Sequence, residues 1–214
     1  MKTMIYTVLY LLLASAVAYI FIVCLGMTGM GKALFLLVTG FALAGASAFT
    51  SAYSTWWGEK GGQITTIILR NLLGIPLLFA GYVLSWLAPS PLLFSPDRKL
   101  KVIGFVLITL GSVPFIVGHI ELGWRTHMPS VKDTLVRHGL YVYVRHPIYA
   151  GGFAVFAGIA LIRPTSAFVL ACMLGFIWLI IQARLEEIDL LQRMPDYKDY
   201  MRQVPRRFLP RIWR

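Results

Sequence analysis

Apolar residues run through this chain in long blocks, broken by short polar stretches. The blocks fall at about 4–25, 33–50, 71–88 and 100–120, and a longer one covers 148–183. Each of the first four approaches the ~20 residues that a helix needs to cross a ~30 Å hydrocarbon layer. The last is too long for one crossing and is cut by Arg163-Pro164. Proline disrupts a helix interior and arginine prefers an interface, so this block predicts a helical hairpin with arms near 148–162 and 165–183. Stretches 51–63 and 121–147 are expected to be loops, with Arg70 at the edge of the third block.

The pattern predicts an all-α fold: a polytopic membrane helix bundle of five or six hydrophobic segments, closed by the C-terminal hairpin. After residue 183 the chain changes character. Glu186, Glu187, Asp189, Asp196 and Asp199 are five of its nine acids. Helical period continues through Leu185, Ile188 and Leu191, then Tyr197, Tyr200, Met201 and Val204, with Pro195 and Pro205 as punctuation. This stretch is expected to form a small cytosolic cap of short helices, its apolar face resting on the bundle or the membrane surface. The chain therefore divides into N-terminal transmembrane helices, 1–120, and one structural unit at 121–214 that combines loop, hairpin and cap.

Composition agrees with a bilayer environment. Of 214 residues 58% are hydrophobic and 14% charged, against ~25% charged in a soluble domain. The net charge of +11 is spread between apolar segments and gathers near the C-terminus, which suits anionic lipid heads rather than nucleic acid. With six segments, one side holds Lys2, Lys60, Arg125, Lys132, Arg137, Arg145 and the basic tail. The other holds Lys32, Arg98, Lys99, Lys101 and Arg163. The excess predicts that both termini and the 121–147 loop are cytoplasmic. Cys24 and Cys172 both lie in apolar runs and read as small buried hydrophobes, with no zinc-site or disulfide spacing.

Two small-residue patterns predict helix contacts. Gly40, Ala44 and Ala48 recur every four residues, and Gly104, Gly111 and Gly118 every seven. A third pattern is a decoy. Gly26 and Gly31-Lys32 have the spacing of a phosphate-binding loop, but Ala33 stands where the metal-binding hydroxyl belongs and no strand precedes it, so a turn is the expected structure.

Chemistry concentrates at "RHGLYVYVRHPIYAGG", residues 137–152. Pro147 suits the first turn of a helix, and a helix start beside Arg145 and His146 favours an anion. Interfacial anchoring by Arg, His and Tyr would account for part of this. It does not call for His138, Tyr141, Tyr143, Arg145, His146 and Tyr149 within twelve positions. Gly151 and Gly152 allow a helix or a ligand to approach closely. The hairpin returns the chain to the side it left, which brings Glu186-Glu187 back towards 138–149. There the carboxylates suit ribose hydroxyls or an ammonium group. Taken alone, the acidic residues also read as a solvated face, with Arg184–Glu187 and Asp189–Arg193 as ordinary surface pairs.

The order "HGLYVYVRHPIYAG", hydrophobic hairpin, "RLEE", then "YKDYMRQVPRRFLP" resembles the isoprenylcysteine carboxyl methyltransferases and the related bacterial phospholipid methyltransferases over about residues 119–210. The resemblance implies an integral membrane S-adenosylmethionine-dependent methyltransferase. Its acceptor would be lipidic, a prenylcysteine carboxylate or a phospholipid amine, and would enter from the bilayer. By motif position the cofactor contacts are His138, Gly139, Tyr141, His146, Pro147, Tyr149, Glu186 and Glu187. Arg145 and Glu187 would be the catalytic pair: Arg145 would face the reacting centre or the acceptor, and Glu187 or His146 would serve as base for an amine. Trp124, Arg125 and His127 are weaker candidates. Membrane sterol reductases, which use NADPH, share a similar tail, but they carry Asn after the Pro and Asp after the Gly, where this chain has Ile148 and Gly152. A non-catalytic membrane scaffold or sensor is the remaining alternative.

Overall fold

The computed structural model describes residues 29–209. The expected 4–25 span, Cys24 and Gly26 lie outside them. Helix α1 is Met30–Ala46, so Lys32 and Ala33 of the decoy sit in its first turn rather than in a loop. A long rod follows: α2, Thr50–Ile67, a wider π-type turn at Ile68–Gly74, and α3, Ile75–Leu87. Then come α4, Arg98–Leu122, α5, Pro147–Ile162, α6, Ser166–Arg193, and the short α7, Tyr197–Gln203. Among the described residues there is no strand beyond a single bridge between Leu92 and Thr165.

Among the described residues, three helical stretches are long and apolar enough to cross a membrane: Thr50–Leu87, Arg98–Thr126 and Ser166–Arg193. Met30–Ala46 and Pro147–Ile162 are shorter apolar helices. Large apolar side chains of α4, including Phe105, Leu110 and Ile120, point outward, as expected where lipid is the solvent.

Small residues set the packing. Lipid tails are as apolar as leucine, so helices associate in a bilayer through close van der Waals contact. On α1, a Cβ added to Gly40 would stand 2.8 Å from Leu78 and 2.9 Å from the Gly74 carbonyl. The glycines of α4 form a zipper with those of α5. Gly104 lies on Gly158, Gly111 on Gly151, and Gly118 on Ile148 and Pro147, each too close to admit a Cβ. The two helices run antiparallel, and the sevenfold stripe read from the sequence is their contact. The fourfold stripe holds for Gly40 and Ala44, while Ala48 falls in the turn after α1.

Three expectations need correction. Residues 51–63 are helical, interrupted at Gly58 (φ 72°). Ser51 binds Asp189 of α6 and Gln63 donates to the Met128 carbonyl, so tertiary contacts hold as helix a segment that polarity alone reads as loop. Arg70 lies inside the rod rather than at the edge of a span. The second hairpin arm does not stop near residue 183: α6 continues to Arg193 and takes in Leu185, Glu186, Glu187, Ile188 and Leu191. The 28 residues of α6 measure about 42 Å at 1.5 Å per residue, so the helix outruns the hydrocarbon layer. The 16 residues of α5 fall short of it. The two helices thus place the start of α5 beside the protruding polar end of α6.

Candidate functional site

At that end five segments converge. A tight left-handed residue, Gly139 (φ +60°), opens the turn Gly139–Val142. Glu121, in the last turn of α4, accepts from the Leu140 backbone N–H through both oxygens, at 3.0 and 3.1 Å. A Cβ on Gly139 would collide with that carboxylate, so glycine is required twice over, by φ and by contact. The Tyr141 hydroxyl reaches back to the Gly118 carbonyl at 3.4 Å, and the Tyr200 hydroxyl donates to the Tyr141 carbonyl at 2.7 Å. Burial pushes both phenols up in pKa, Tyr200 to about 12, so they act as neutral donors.

The chain then reaches Arg145-His146-Pro147. The tail after α7 runs back over it. Arg145 N–H donates to the Arg206 carbonyl (3.0 Å) and His146 N–H to the Arg207 carbonyl (2.8 Å). The Arg145 side chain, 7% exposed, donates through Nε to Glu187 Oε1 at 2.9 Å and through Nη1 to the Val204 carbonyl at 2.7 Å. Arg207 forks onto Glu187 Oε2, with Nε at 2.9 Å and Nη2 at 2.8 Å. His146 Nε2 stands 3.2 Å from Glu187 Oε1. Glu187, 4% exposed, is thus a carboxylate clamped by two guanidinium groups and an imidazole. The hydrogen bond to Glu187 in turn raises the pKa of Arg207. The pair expected to be catalytic, Arg145 and Glu187, is given over to itself and to the tail, and the anticipated Arg184–Glu187 surface pair is not the one formed.

Glu186 faces the other way. Its Oε1 accepts from the Tyr149 hydroxyl at 2.5 Å and from Gln182 Nε2 at 3.0 Å. Its Oε2 has His146 Nδ1 at 3.9 Å, beyond hydrogen-bond length. The His146 and Tyr149 rings stack at 5.4 Å and 4°, and Phe208 of the tail leans on His146 at 6.1 Å and on Phe153 at 5.0 Å. A carboxylate with a free oxygen, beside flat aromatic surfaces, results. It can take cationic or N–H donors on the oxygen and a planar or apolar group on the rings.

Most of the sequence-predicted residues meet here: Tyr141, Arg145, His146, Pro147, Tyr149, Glu186 and Glu187. His138 does not. Its side chain is exposed, and its visible part in the structure is a backbone carbonyl that accepts from Tyr141 N–H at 3.2 Å. Arg125 bonds Thr134 at 2.8 Å. The carbonyls of Thr126 and His127 are held by Arg70 and Asn71 from the π-type turn. Sequence reasoning missed Glu121 and Gln182. Each stands where an apolar helix turns polar, Glu121 two residues after His119 and Gln182 two before Arg184, and that position was the available signal.

A second buried network lies beside the first. Asp189, 2% exposed, accepts from Ser51 N–H (2.7 Å), Ser51 Oγ (2.6 Å) and Arg193 Nε (2.7 Å). Arg193 also donates to the Ser130 carbonyl at 2.7 Å. The Asp189–Arg193 pair, expected on the surface, is a buried knot joining α6, α2 and the 126–137 loop.

With this geometry in view, comparison with known proteins places the chain. Residues 100–195 match the phospholipid methyltransferase family. Over these residues the chain is similar to that family. The matched region begins in α4 and ends just past α6, so it contains the glycine zipper, the Arg145-His146-Pro147 turn and both glutamates. Among curated proteins the chain is similar to methanethiol S-methyltransferase 1 of Bradyrhizobium diazoefficiens, 27% identical over 188 residues, covering 79% of this chain and 63% of that one. It is also similar to the methanethiol S-methyltransferases of a Pseudomonas species (26% identical, 79% of this chain and 69% of that one) and of Crocosphaera subtropica (27% identical, 77% and 69%). The chain thus spans between 63% and 69% of the length of these relatives. No solved structure matches it. The long apolar helices, together with this similarity, support an integral membrane protein.

Proposed function

We propose that this membrane methyltransferase takes its methyl group from S-adenosylmethionine, bound at the Glu186 corner, and passes it to an apolar acceptor that arrives from the bilayer. The observation that carries this reading is the corner itself. A carboxylate keeps one oxygen free next to the stacked His146 and Tyr149 rings, at the polar end of a bundle whose outer surface is apolar. A donor with a flat base, an ammonium group and ribose hydroxyls fits such a corner. Bound there, it supplies an electrophilic methyl on a positively charged sulfur.

The residues of the chain serve as binders and holders. In-line displacement needs alignment above all. Arg145 and Glu187 fix the distance between the α5 start, α6 and the tail, so both act as positioning residues in this account. The lone pairs of Glu187 are engaged by Arg145, His146 and Arg207, which leaves the carboxylate unsuited to collect a proton from the acceptor. His146 Nε2 points to Glu187, so Nδ1, on the Glu186 side, is the imidazole atom able to take one. A carboxylate acceptor would require no base, and an amine or thiol acceptor would pass its proton to this position.

For the acceptor, a lipidic carboxylate or amine is the first reading, because the outer face of α4 is open to lipid. A thiol is the second, favoured by the names of the three relatives. The basic loops at the site end suggest that this end and both chain termini face the cytoplasm.

The test is calorimetry of the protein in detergent with S-adenosylmethionine and with NADPH. Binding of S-adenosylmethionine at 1:1 is expected, and binding of NADPH alone would overturn the reading in favour of a reductase. Transfer of a radiolabelled methyl group in membranes then separates the acceptors. Label in the lipid extract supports the first reading, and label in a volatile thioether made from added methanethiol supports the second.

A further inference from the structure

Gln182 lies four residues before Glu186, one helical turn deeper towards the membrane, and its side chain is 5% exposed. Its Nε2 donates to Glu186 Oε1 at 3.0 Å. Its Oε1 is buried and accepts no hydrogen bond from any described residue. Exchanging the amide oxygen and nitrogen does not remove the problem. It would set an oxygen against the Glu186 carboxylate, acceptor against acceptor, and leave the NH₂ without a partner instead. The amide orientation is therefore fixed by Glu186, and a buried acceptor is left over. Buried polar groups in native proteins find partners, and a glutamine inside a membrane-helix stretch faces the bundle interior for a reason.

Glu186 repeats the same demand one turn along. Its Oε2 takes no hydrogen bond from the described residues, and the nearest nitrogen, His146 Nδ1, is 3.9 Å away. Two oxygen acceptors on adjacent turns, one charged and one neutral, lack a donor. The group that satisfies both at once is a primary ammonium, which has N–H bonds in several directions and a charge to set against the carboxylate. A neutral aromatic amine would leave the carboxylate unmatched.

We infer that Gln182 is a binding residue for the ammonium group at the amino-acid end of the methyl donor, which it shares with Glu186. The inference rests on the proposed reading that the donor is S-adenosylmethionine. It places the amino-acid end on the membrane side of the corner. The adenosine end then falls toward the aromatic stack.

The experiment uses the full chain in detergent and two probes: S-adenosylhomocysteine, and its deaminated analogue, which keeps the carboxylate and has hydrogen in place of the amino group. The wild-type protein should prefer S-adenosylhomocysteine by about tenfold or more, as expected for a charge-assisted hydrogen bond. Gln182→Met is close in length and volume. It should lower affinity for S-adenosylhomocysteine by about 10- to 100-fold and leave affinity for the deaminated analogue unchanged. Unchanged affinity for S-adenosylhomocysteine would assign the free oxygen to a water and overturn the inference. Equal losses on both probes would overturn it too, because the effect would then not depend on the amino group. If the variant does not fold, the wild-type comparison decides, since equal affinities for the two probes are incompatible with an ammonium site. Failure of the wild type to bind S-adenosylmethionine or S-adenosylhomocysteine would instead bring down the reading on which the inference stands.

Discussion

Asp189 and Glu186 sit three residues apart on α6, both acidic, both at the polar end of a long apolar helix. Asp189 is saturated. Ser51 and Arg193 fill both of its oxygens, and Arg193 is in turn occupied by the Ser130 carbonyl. Glu186 is half saturated, with one oxygen taken and one free. Burial does not separate them by kind, because a buried carboxylate needs partners wherever it is. The tally of donors and acceptors does. Where the protein supplies every partner, the network holds helices together. Where it supplies half, the remainder is left for something else. Glu187 belongs with Asp189 by this test, although its position in the motif suggests catalysis.

The comparison can be attacked through stability. The largest loss is expected for Glu187→Gln. It removes a buried charge and leaves Arg145 buried without a counter-charge, which costs about 3–5 kcal/mol. The expected outcome is a lower melting temperature in detergent and weakened attachment of the tail, read as faster proteolysis after residue 203. Asp189→Asn comes next. It keeps the shape and loses charge-assisted bonds, for about 1–3 kcal/mol. Its melting temperature should fall while affinity for S-adenosylmethionine stays at the wild-type value once the protein is folded. A drop in affinity larger than the drop in stability would erase the distinction between the two regions. The smallest effect is expected for Lys132→Ala. Lys132 pairs with Glu59 at 2.6 Å on an exposed surface, and such pairs add little. Melting temperature and affinity should both match wild type.

Much of this was legible in the sequence, and the exceptions have physical causes. Arg163-Pro164 marked the hairpin because neither residue suits a helix interior in lipid. The sevenfold glycines of α4 predicted a helix contact because only close backbones reward glycine there. The return of the hairpin brought Glu186-Glu187 to Arg145-His146, as chain direction requires. The polarity of 51–63 concealed a helix, because what keeps it helical is distant: Ser51 is held by Asp189, 138 positions away. Asp189–Arg193 looked like a surface pair for the same reason, since helical spacing cannot tell which face a neighbouring helix will cover. The roles within the motif were equally hidden. Arg145 and Glu187 have the residue types of catalytic groups, and it takes the partners Val204 and Arg207, supplied by the tail, to show that they are engaged.

The central claim is that the free oxygen of Glu186 is there to bind. Glu186→Gln tests it most directly, with melting temperature and S-adenosylmethionine affinity measured on the same preparation. The glutamine retains an oxygen for Tyr149 and Gln182 and replaces the free oxygen with an amide nitrogen. The account predicts a melting temperature close to wild type and an affinity reduced by about 10- to 100-fold. A lowered melting temperature with unchanged affinity would make Glu186 one more structural carboxylate, like Asp189, and would contradict it.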